Sequence, residues 1–580
     1  MNRILLIATA VLLTACSNTP KILADTTIKQ TGMVVTANPY ATEVGAQILR
    51  AGGSAVDAAI AIQAVLTLVE PQSSGLGGGG FMVYFDNQTK QVSIYEGRET
   101  APDNASVGMF LGSDNEPLSF LAAKNSGLSI GVPGMVSMLQ LAHSDFGTLP
   151  WSDNFTYATQ LATEGFAISP RLQSFLVKFA HIIPRTVEEG TLDAAAYFYD
   201  DNGEAYPVGH RLKNQAYAES LLEIAANPRS FYSGLIANQI IEQVNTEPRP
   251  GSMTLSDMKN YKARRHDGLC VPYKELSLCG PPPPSSWLAV AMTMGLLERA
   301  PNASSAGSED PHNWALFAQA QRLSYADRDR YVADPDKVNV PVIGMLHSDY
   351  LDERAQEISS GQAKPNITAG DPWRYEANIP PGISGKDATL DVAGTSHFVV
   401  VDLQGNVVSL TASVESIFGS TRMAGGMFLN NQLTDFSFKP VDEEGNKIAN
   451  SVEPNKRPRS SMSPTIVLDE NGEFKMATGS PGGNSIIAYT AKTLLGVLDW
   501  GLTPQEAVDL PNMVARGDKV RLEKGRTEAQ LFEGLQSLGY EVDQSRGENS
   551  GLSVVYKSVS GELIGGVDRR REGVIEVVLP

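Results

Sequence analysis

The chain has 580 residues, of which 42% are hydrophobic and 53 are glycine, and a formal net charge of −19. This is a globular composition with material for a large core, and it excludes a disordered or fibrous chain. So acidic a protein repels nucleic acid and anionic membrane surfaces, which argues against a nucleic-acid partner.

Arg3 gives the start a positive charge, and Ile4 to Leu13 is an apolar run too short to span a membrane. Leu13-Thr14-Ala15-Cys16 looks like a bacterial lipobox, followed by Ser17 rather than Asp. The expectation is a lipoprotein signal peptide over residues 1–15, cut before Cys16, with lipid on that thiol and the protein on the periplasmic face of the outer membrane. An ordinary signal peptide and an uncleaved apolar start are the plainer alternatives. Residues 16–30 read as a polar linker.

Ala41 to Arg50 reads as a helix ended by Gly52-Gly53. Ser54 to Glu70 reads as a second helix, apolar on nearly every face and so buried, stopped by Pro71. The glycine-rich run Ser73 to Gly80 leads into strands at Phe81 to Phe85 and Val92 to Tyr95. The middle, about 134–380, reads as mostly helical, with 299–310 a loop by composition. Cys270 and Cys279 flank Val271 to Leu278, a short strand or hairpin. A disulfide and a pair of buried thiols both stay open there, and two cysteines without nearby histidines make a poor metal site.

From His397 the period changes to that of strands. His397 to Asp402, the turn Leu403 to Asn406, and Val407 to Val414 form a predicted hairpin with Thr395 at its leading end. Thr465 to Asp469, Phe474 to Thr478, Leu552 to Tyr556 and Val574 to Leu579 read as strands, and Ile486 to Leu498 as a helix. The whole reads as one α/β domain.

Two motifs fail on context. Gly75 to Gly80 matches G-x-G-x-x-G, but a helix precedes it and a strand follows, the reverse of what phosphate binding needs. Gly127-Leu128-Ser129-Ile130-Gly131 matches the nucleophile elbow, but a polar stretch precedes it and Val132-Pro133-Gly134 follows. The seven histidines are scattered without ligand spacing, so no metal is expected.

Other stretches carry more. They are Ala51 to Ala59, Val69 to Phe81, Arg98-Glu99-Thr100-Ala101-Pro102, Gly131 to Gly134, Pro281 to Ser286, Gly394-Thr395-Ser396-His397-Phe398, Leu429 to Ser437, Asn455 to Thr465 and Gly479-Ser480-Pro481-Gly482-Gly483. In this order they resemble the γ-glutamyltransferase (glutathione hydrolase) family of the N-terminal-nucleophile hydrolase superfamily. The resemblance runs from about residue 33 to the C-terminus.

It implies a four-layer αββα sandwich and self-cleavage between Gly394 and Thr395. Residues 31–394 would form the large subunit and 395–580 the small one, clasped in one compact domain. Gly394 has no side chain to obstruct attack on its carbonyl. Thr395 would then be the nucleophile and its freed α-amine, with a reference pKa near 8, the base, so no histidine or cofactor is required. By resemblance Ser413 supports the nucleophile, and Gly482 and Gly483 supply oxyanion N–H donors. Arg98, Ser460 and Ser461 match the positions that take a donor carboxylate, and Asp435, Gln432 and Glu415 those that take its ammonium.

Several residues depart from the family pattern. Glu415 stands where many members have Asn, and Trp287 follows the Pro-Pro-Ser-Ser turn in place of Gly, which puts one wall of the cleft in doubt. The segment from Phe438 to Glu453, a substrate-covering lid in some members, is polar here. A shorter or more open lid is expected, with more hydrolysis than transpeptidation. The implied substrates are glutathione or another γ-glutamyl small molecule, with water or an amino acid or dipeptide as acceptor. An acylase of the same fold, acting on β-lactam side chains or poly-γ-glutamate, is the nearer alternative; a non-catalytic lipoprotein that keeps the fold is the further one.

Overall fold

Side-chain alternation along one strand decides the layering. In Gly394–Val401, Phe398 and Val400 face one core while Val399 and Val401 face another. The strand belongs to a seven-stranded antiparallel sheet in the order Val574–Val578, Gly32–Thr36, Gly394–Val401, Val407–Glu415, Gly79–Phe85, Val92–Glu96, Arg264–Asp267. A second, six-stranded antiparallel sheet runs Leu563–Val567, Ser553–Lys557, Phe474–Gly479, Thr465–Leu468, Leu276–Gly280, Leu269–Tyr273. Met33, Val35, Val83, Val399, Ile466 and Val555 fill the space between them. The computed structural model describes residues 30–183, 193–300, 303–358, 361–383, 385–389 and 394–580. The leader, Cys16 and the linker up to residue 29 lie outside them.

Helices cover both outer faces. Ala55–Val69 is buried along its whole length, capped by Ser54 and Asp57 in a reciprocal capping box, and packs with Pro39–Arg50 against the first sheet. Trp287–Glu298, Pro311–Tyr331 and Ile486–Leu498 pack against the second. The result is an αββα sandwich. Both sheets mix strands from before and after residue 394, so the two halves share one framework.

The helical reading of the middle needs correction. Arg264–Asp267 is a strand at the edge of the first sheet, whereas the short strand or hairpin expected over Val271 to Leu278 is present as the paired strands Leu269–Tyr273 and Leu276–Gly280 of the second. The composition loop at 299–310 holds a short 3-10 turn, Gly307–Glu309. The strand expected from His397 starts at Gly394, because Gly394 to Ser396 pair with Glu415, Ser413 and Ala412. Cys270 and Cys279 are register partners on adjacent strands and are joined by a disulfide. Trp287 does not line a cleft. It is fully buried against Gly280, and its ring N–H donates to Thr465 Oγ1 at 3.0 Å.

Candidate active site

Thr395 lies one residue into its strand, 3% exposed, on the face that turns toward the second sheet. Its Oγ1 donates to Ser413 Oγ at 3.1 Å, and Ser413 Oγ donates to the Gly394 carbonyl at 2.8 Å. Ser413 also accepts from the Glu415 N–H at 2.8 Å. Ser413 is the register partner of Thr395, and a bulge follows it, so that Glu415 rather than Val414 stands opposite Gly394. The bulge puts Glu415 at φ 79° and directs it into the site. Gly394 is sterically fixed: a Cβ there would lie 2.5 Å from the Glu415 carbonyl oxygen.

Across the sandwich, Gly479 faces the ring of His397, and the chain then turns through Pro481, Gly482 and Gly483 into the helix Ile486–Leu498. Gly482 has φ 144°, and a Cβ on it would meet the Tyr489 ring at 2.5 Å, so only glycine holds this turn. His397 is two residues from Thr395, but burial pulls its ring down to about 3, and Nδ1 pairs with Thr411 Oγ1 at 2.9 Å. It stays neutral at pH 7, and its Nε2 has no hydrogen-bond partner among the described residues.

A second cluster is built on Arg98, which is fully buried. Its Nε donates to the Pro458 carbonyl at 2.9 Å, and its Nη2 donates to Asp435 Oδ2 at 2.5 Å and to the Arg459 carbonyl at 2.6 Å. Asp435 and Gln432 share one 3-10 turn, Gln432–Asp435. Ser460 is held by a bridge to Ser285, and its Oγ accepts from Met462 N at 3.2 Å. Ser461 Oγ accepts from Arg328 Nη2 at 2.6 Å. Glu415 Oε2 accepts from Ser416 and Asn431, while burial, and then the charge of Asp435, raise its carboxyl well above the usual range. Arg98 Nη1, Glu415 Oε1 and Gln432 Oε1 are buried with no hydrogen-bond partner among the described residues. Buried polar atoms without a hydrogen bond are costly, and of these three Arg98 Nη1 keeps an ion pair, with Glu99 at 3.5 Å.

The sequence-derived residues therefore form two contacting sets, Gly394–Thr395–Ser413–Glu415 and Arg98–Asp435. Gln432 joins the second through its turn, and Ser460 and Ser461 through the backbone next to Arg459. Gly482 and Gly483 stand at the end of the facing strand. Residues that sequence reasoning left without a role also touch the site. Glu99 lies 3.5 Å from Arg98 Nη1, with both oxygens buried and its carboxyl raised to about 8 by burial. Buried Lys124 donates to the Ile417 carbonyl at 3.1 Å and interacts with Glu415. Arg571 donates to the Thr395 carbonyl at 2.8 Å. Nothing in the run Arg569-Arg570-Arg571 separates a buried arginine from two others.

The segment from Phe438 to Glu453 folds as a small turn closed by a bridge between Val441 and Lys447. Phe438 stacks on Phe110 with ring centroids 4.6 Å apart. Beside it lies a cavity of about 600 Å³ lined by Leu118, Phe120, Thr434, Phe438 and Ile448.

A family model described as Gamma-glutamyltranspeptidase matches residues 41–578. The "Glutathione hydrolase proenzyme" of Bacillus subtilis (strain 168) is 35% identical over 553 residues, covering 93% of this chain and 90% of that one. The protein of the same name from Escherichia coli (strain K12) is 34% identical over 549 residues, with 93% and 90% covered. Among solved structures, the cephalosporin acylase from Bacillus halodurans superposes with a TM-score of 0.80 at 23% identity, covering 94% of this chain and 96% of that one. The sandwich is thus the N-terminal-nucleophile hydrolase fold.

Proposed function

The chain belongs to the gamma-glutamyltranspeptidase family, and on that premise we propose that it is a self-processing enzyme that cleaves γ-glutamyl amides, glutathione among them, and passes the γ-glutamyl group to water or an amine. The observation that carries this reading is the run of hydrogen bonds from Thr395 Oγ1 through Ser413 Oγ to the Gly394 carbonyl. In the precursor, Thr395 Oγ1 attacks the Gly394 carbonyl carbon. Its proton leaves along Ser413, which already donates to the oxygen that takes the negative charge. Collapse breaks the Gly394–Thr395 C–N bond, the nitrogen takes a proton, and an ester remains. Water hydrolyses the ester to a Gly394 carboxylate and a Thr395 with free amine and hydroxyl. Residues 31–394 and 395–580 become two subunits held by shared sheets.

In the mature enzyme the Thr395 amine takes the hydroxyl proton as Oγ1 attacks the donor's γ-carbonyl. Gly482 and Gly483, at the entry to a helix, offer N–H groups to the oxyanion. Arg98, with Ser460 and Ser461, takes the donor α-carboxylate; Asp435, Glu415 and Gln432 take the α-ammonium. The leaving amine departs protonated, and water or another amine then attacks the γ-glutamyl ester on Thr395. The polar turn after Phe438 carries no further aromatic to cover an acceptor, which supports hydrolysis over transpeptidation; a product ratio favouring transpeptidation at millimolar dipeptide overturns that point.

The test is intact mass and N-terminal sequencing of purified protein beside Thr395→Ala. Two fragments in the wild type, one starting Thr-Ser-His-Phe, with an uncut control, support the reading. A folded, uncut wild type refutes it and leaves a binding protein. Glutathione against glutaryl-cephalosporin then separates γ-glutamyl transfer from acylase activity. We also propose that Cys16 carries lipid and holds the protein at the periplasmic face of the outer membrane; Cys16→Ala should release it into the soluble fraction, and unchanged membrane association refutes the anchor.

A further inference from the structure

Thr395 is held from two sides, and the proposed chemistry uses only one of them. On the side away from Val407–Glu415, the strand Gly32–Thr36 pairs with residues 399–401 of the nucleophile strand, leaving Thr395 beyond those ladder pairs. The carbonyl of Thr395 finds its donor in Arg571, whose Nη1 lies 2.8 Å away. The Arg571 side chain is 1% exposed, and its Nε donates to the Ser550 carbonyl at 3.2 Å. The same Nη1 lies 3.3 Å from Glu70 Oε2, which also accepts from Ser396 Oγ at 3.3 Å. Glu70 Oε1 accepts from Arg171 Nε at 3.1 Å.

Three buried charges, two positive and one negative, are therefore gathered at the backbone of the first residue that cleavage would expose. They come from the end of the helix Ala55–Val69, the start of the helix Pro170–Lys178 and the turn ahead of the last strand. Burying such a group is expensive unless its hydrogen bonds are used, and here they are spent on Thr395 and Ser396. We propose that Arg571, braced by Glu70, is a positioning residue for the N-terminal nucleophile. It pins the end of the strand after cleavage, and its cation favours the neutral form of the Thr395 amine, the form that accepts a proton. Burial, then the like charge of Arg171, draws the guanidinium down to about 9, so it remains charged at neutral pH. The other charged groups around this strand end are Glu572, which accepts from the Arg171 N–H at 2.9 Å, Glu415 on the neighbouring strand, with Lys124 behind it, the Asp568–Arg570 pair beyond Ser550, and the Glu548–Arg521 pair beside Tyr489.

The inference rests on the reading of Thr395 as nucleophile. The experiment compares full-length wild type, Arg571→Met, Arg571→Lys and Arg171→Met for self-cleavage, then measures kcat, KM and the pH profile of kcat/KM per mole of cleaved enzyme. A nearby positive charge disfavours a protonated amine. Its removal in Arg571→Met should raise the amine pKa and move the acid limb up by about one pH unit. The kcat should fall about tenfold while the donor KM stays within about twofold of wild type. Arg571→Lys keeps the charge and should restore the limb but only part of kcat. Arg171→Met acts from further away and should move the limb up by a few tenths; it decides the matter if Arg571→Met does not fold. An unmoved limb in a cleaved variant, or a loss confined to KM, overturns this proposal alone. A wild type that never cleaves overturns the nucleophile reading with it.

Discussion

Replacing Ser413 by alanine should separate self-cleavage from turnover. The hydroxyl makes three contacts: it accepts from Thr395 Oγ1 at 3.1 Å and from Glu415 N at 2.8 Å, and it donates to the Gly394 carbonyl at 2.8 Å. The last contact faces the oxygen that would become an alkoxide in the proposed self-cleavage. Losing one donor at such a position costs about 10²–10³ in rate, and self-cleavage should slow by that factor. In turnover the oxyanion forms on the donor substrate instead, so only the orientation of Oγ1 is lost, worth about tenfold, or roughly 1.4 kcal/mol. The Glu415 N–H is left buried without its acceptor, and stability should drop by about 1–3 kcal/mol. The assay is the cleaved fraction of fresh precursor against time by intact mass, followed by the initial rate on a γ-glutamyl anilide per mole of cleaved enzyme. Ser413→Thr should restore both steps. Cleavage of the alanine variant at the wild-type rate, or equal slowing of both steps, would refute the argument.

Arg98→Lys replaces a planar fork, which reaches two carbonyls and Asp435, by a point charge; the donor KM should rise at least about tenfold while self-cleavage proceeds, and an unchanged KM would remove Arg98 from donor binding. Glu99 has a raised pKa, so the fold prefers its protonated form: stability is fullest below the unfolded pKa and declines as pH rises from about 4.5 toward about 8. Glu99→Gln should therefore flatten the fall in chemical stability between pH 5 and 8, by up to a few kcal/mol; parallel curves for the two proteins would show that Glu99 does not titrate in that window. Cys270→Ser with Cys279→Ser opens a short loop on an edge hairpin of the second sheet; denaturant unfolding should show a loss of about 2–3 kcal/mol with kcat unchanged, and a matching fall in kcat would tie the hairpin to the site.

Much of the framework was legible because strand alternation and buried helices leave direct marks. The nearly all-apolar Ala55–Val69, the hairpin after Thr395 and the strands near Thr465, Phe474, Leu552 and Val574 follow from pattern alone, whereas Leu563–Val567 was not read. The strand at Arg264–Asp267 did not follow either, because it lies at a sheet edge, is only partly buried and is built of ionisable residues. The site was legible only through resemblance. A threonine opening a strand, or an arginine beside a glutamate, has no local signature; what makes Thr395 and Arg98 unusual is burial beside partners hundreds of residues away. Trp287 shows the converse error. A large residue at a position next to a cleft motif suggested an altered wall, yet the glycine at Gly280 opens room for it in the core.

If the proposed self-cleavage occurs, the segment upstream of Gly394 would connect it to the Arg98–Asp435 pair. Asp387, seven residues before Gly394 in the sequence, is 2% exposed. Its Oδ2 lies 2.7 Å from Arg459 Nη2 and accepts from Asn450 Nδ2 at 3.1 Å. Asn450 Nδ2 also donates to the Asp435 carbonyl at 2.7 Å, and the Arg459 carbonyl accepts from Arg98. The stretch just ahead of the scissile bond is thus one hydrogen bond removed from both members of the Arg98–Asp435 pair. Arg516 reaches the same stretch through the Thr389 carbonyl at 3.3 Å, and it also pairs with Asp329, which neighbours Arg328 and Arg459. The proposed cut after Gly394 would give the chain that carries this stretch a free end. Movement of it would change the field around Asp435, Ser460 and Ser461, because Arg328 and Arg459 are common to both. On the proposed function, the charge balance around Arg98 and Asp435 would therefore differ between precursor and cleaved protein, because the buried Arg459 is paired with Asp387, a carboxylate on the segment upstream of Gly394.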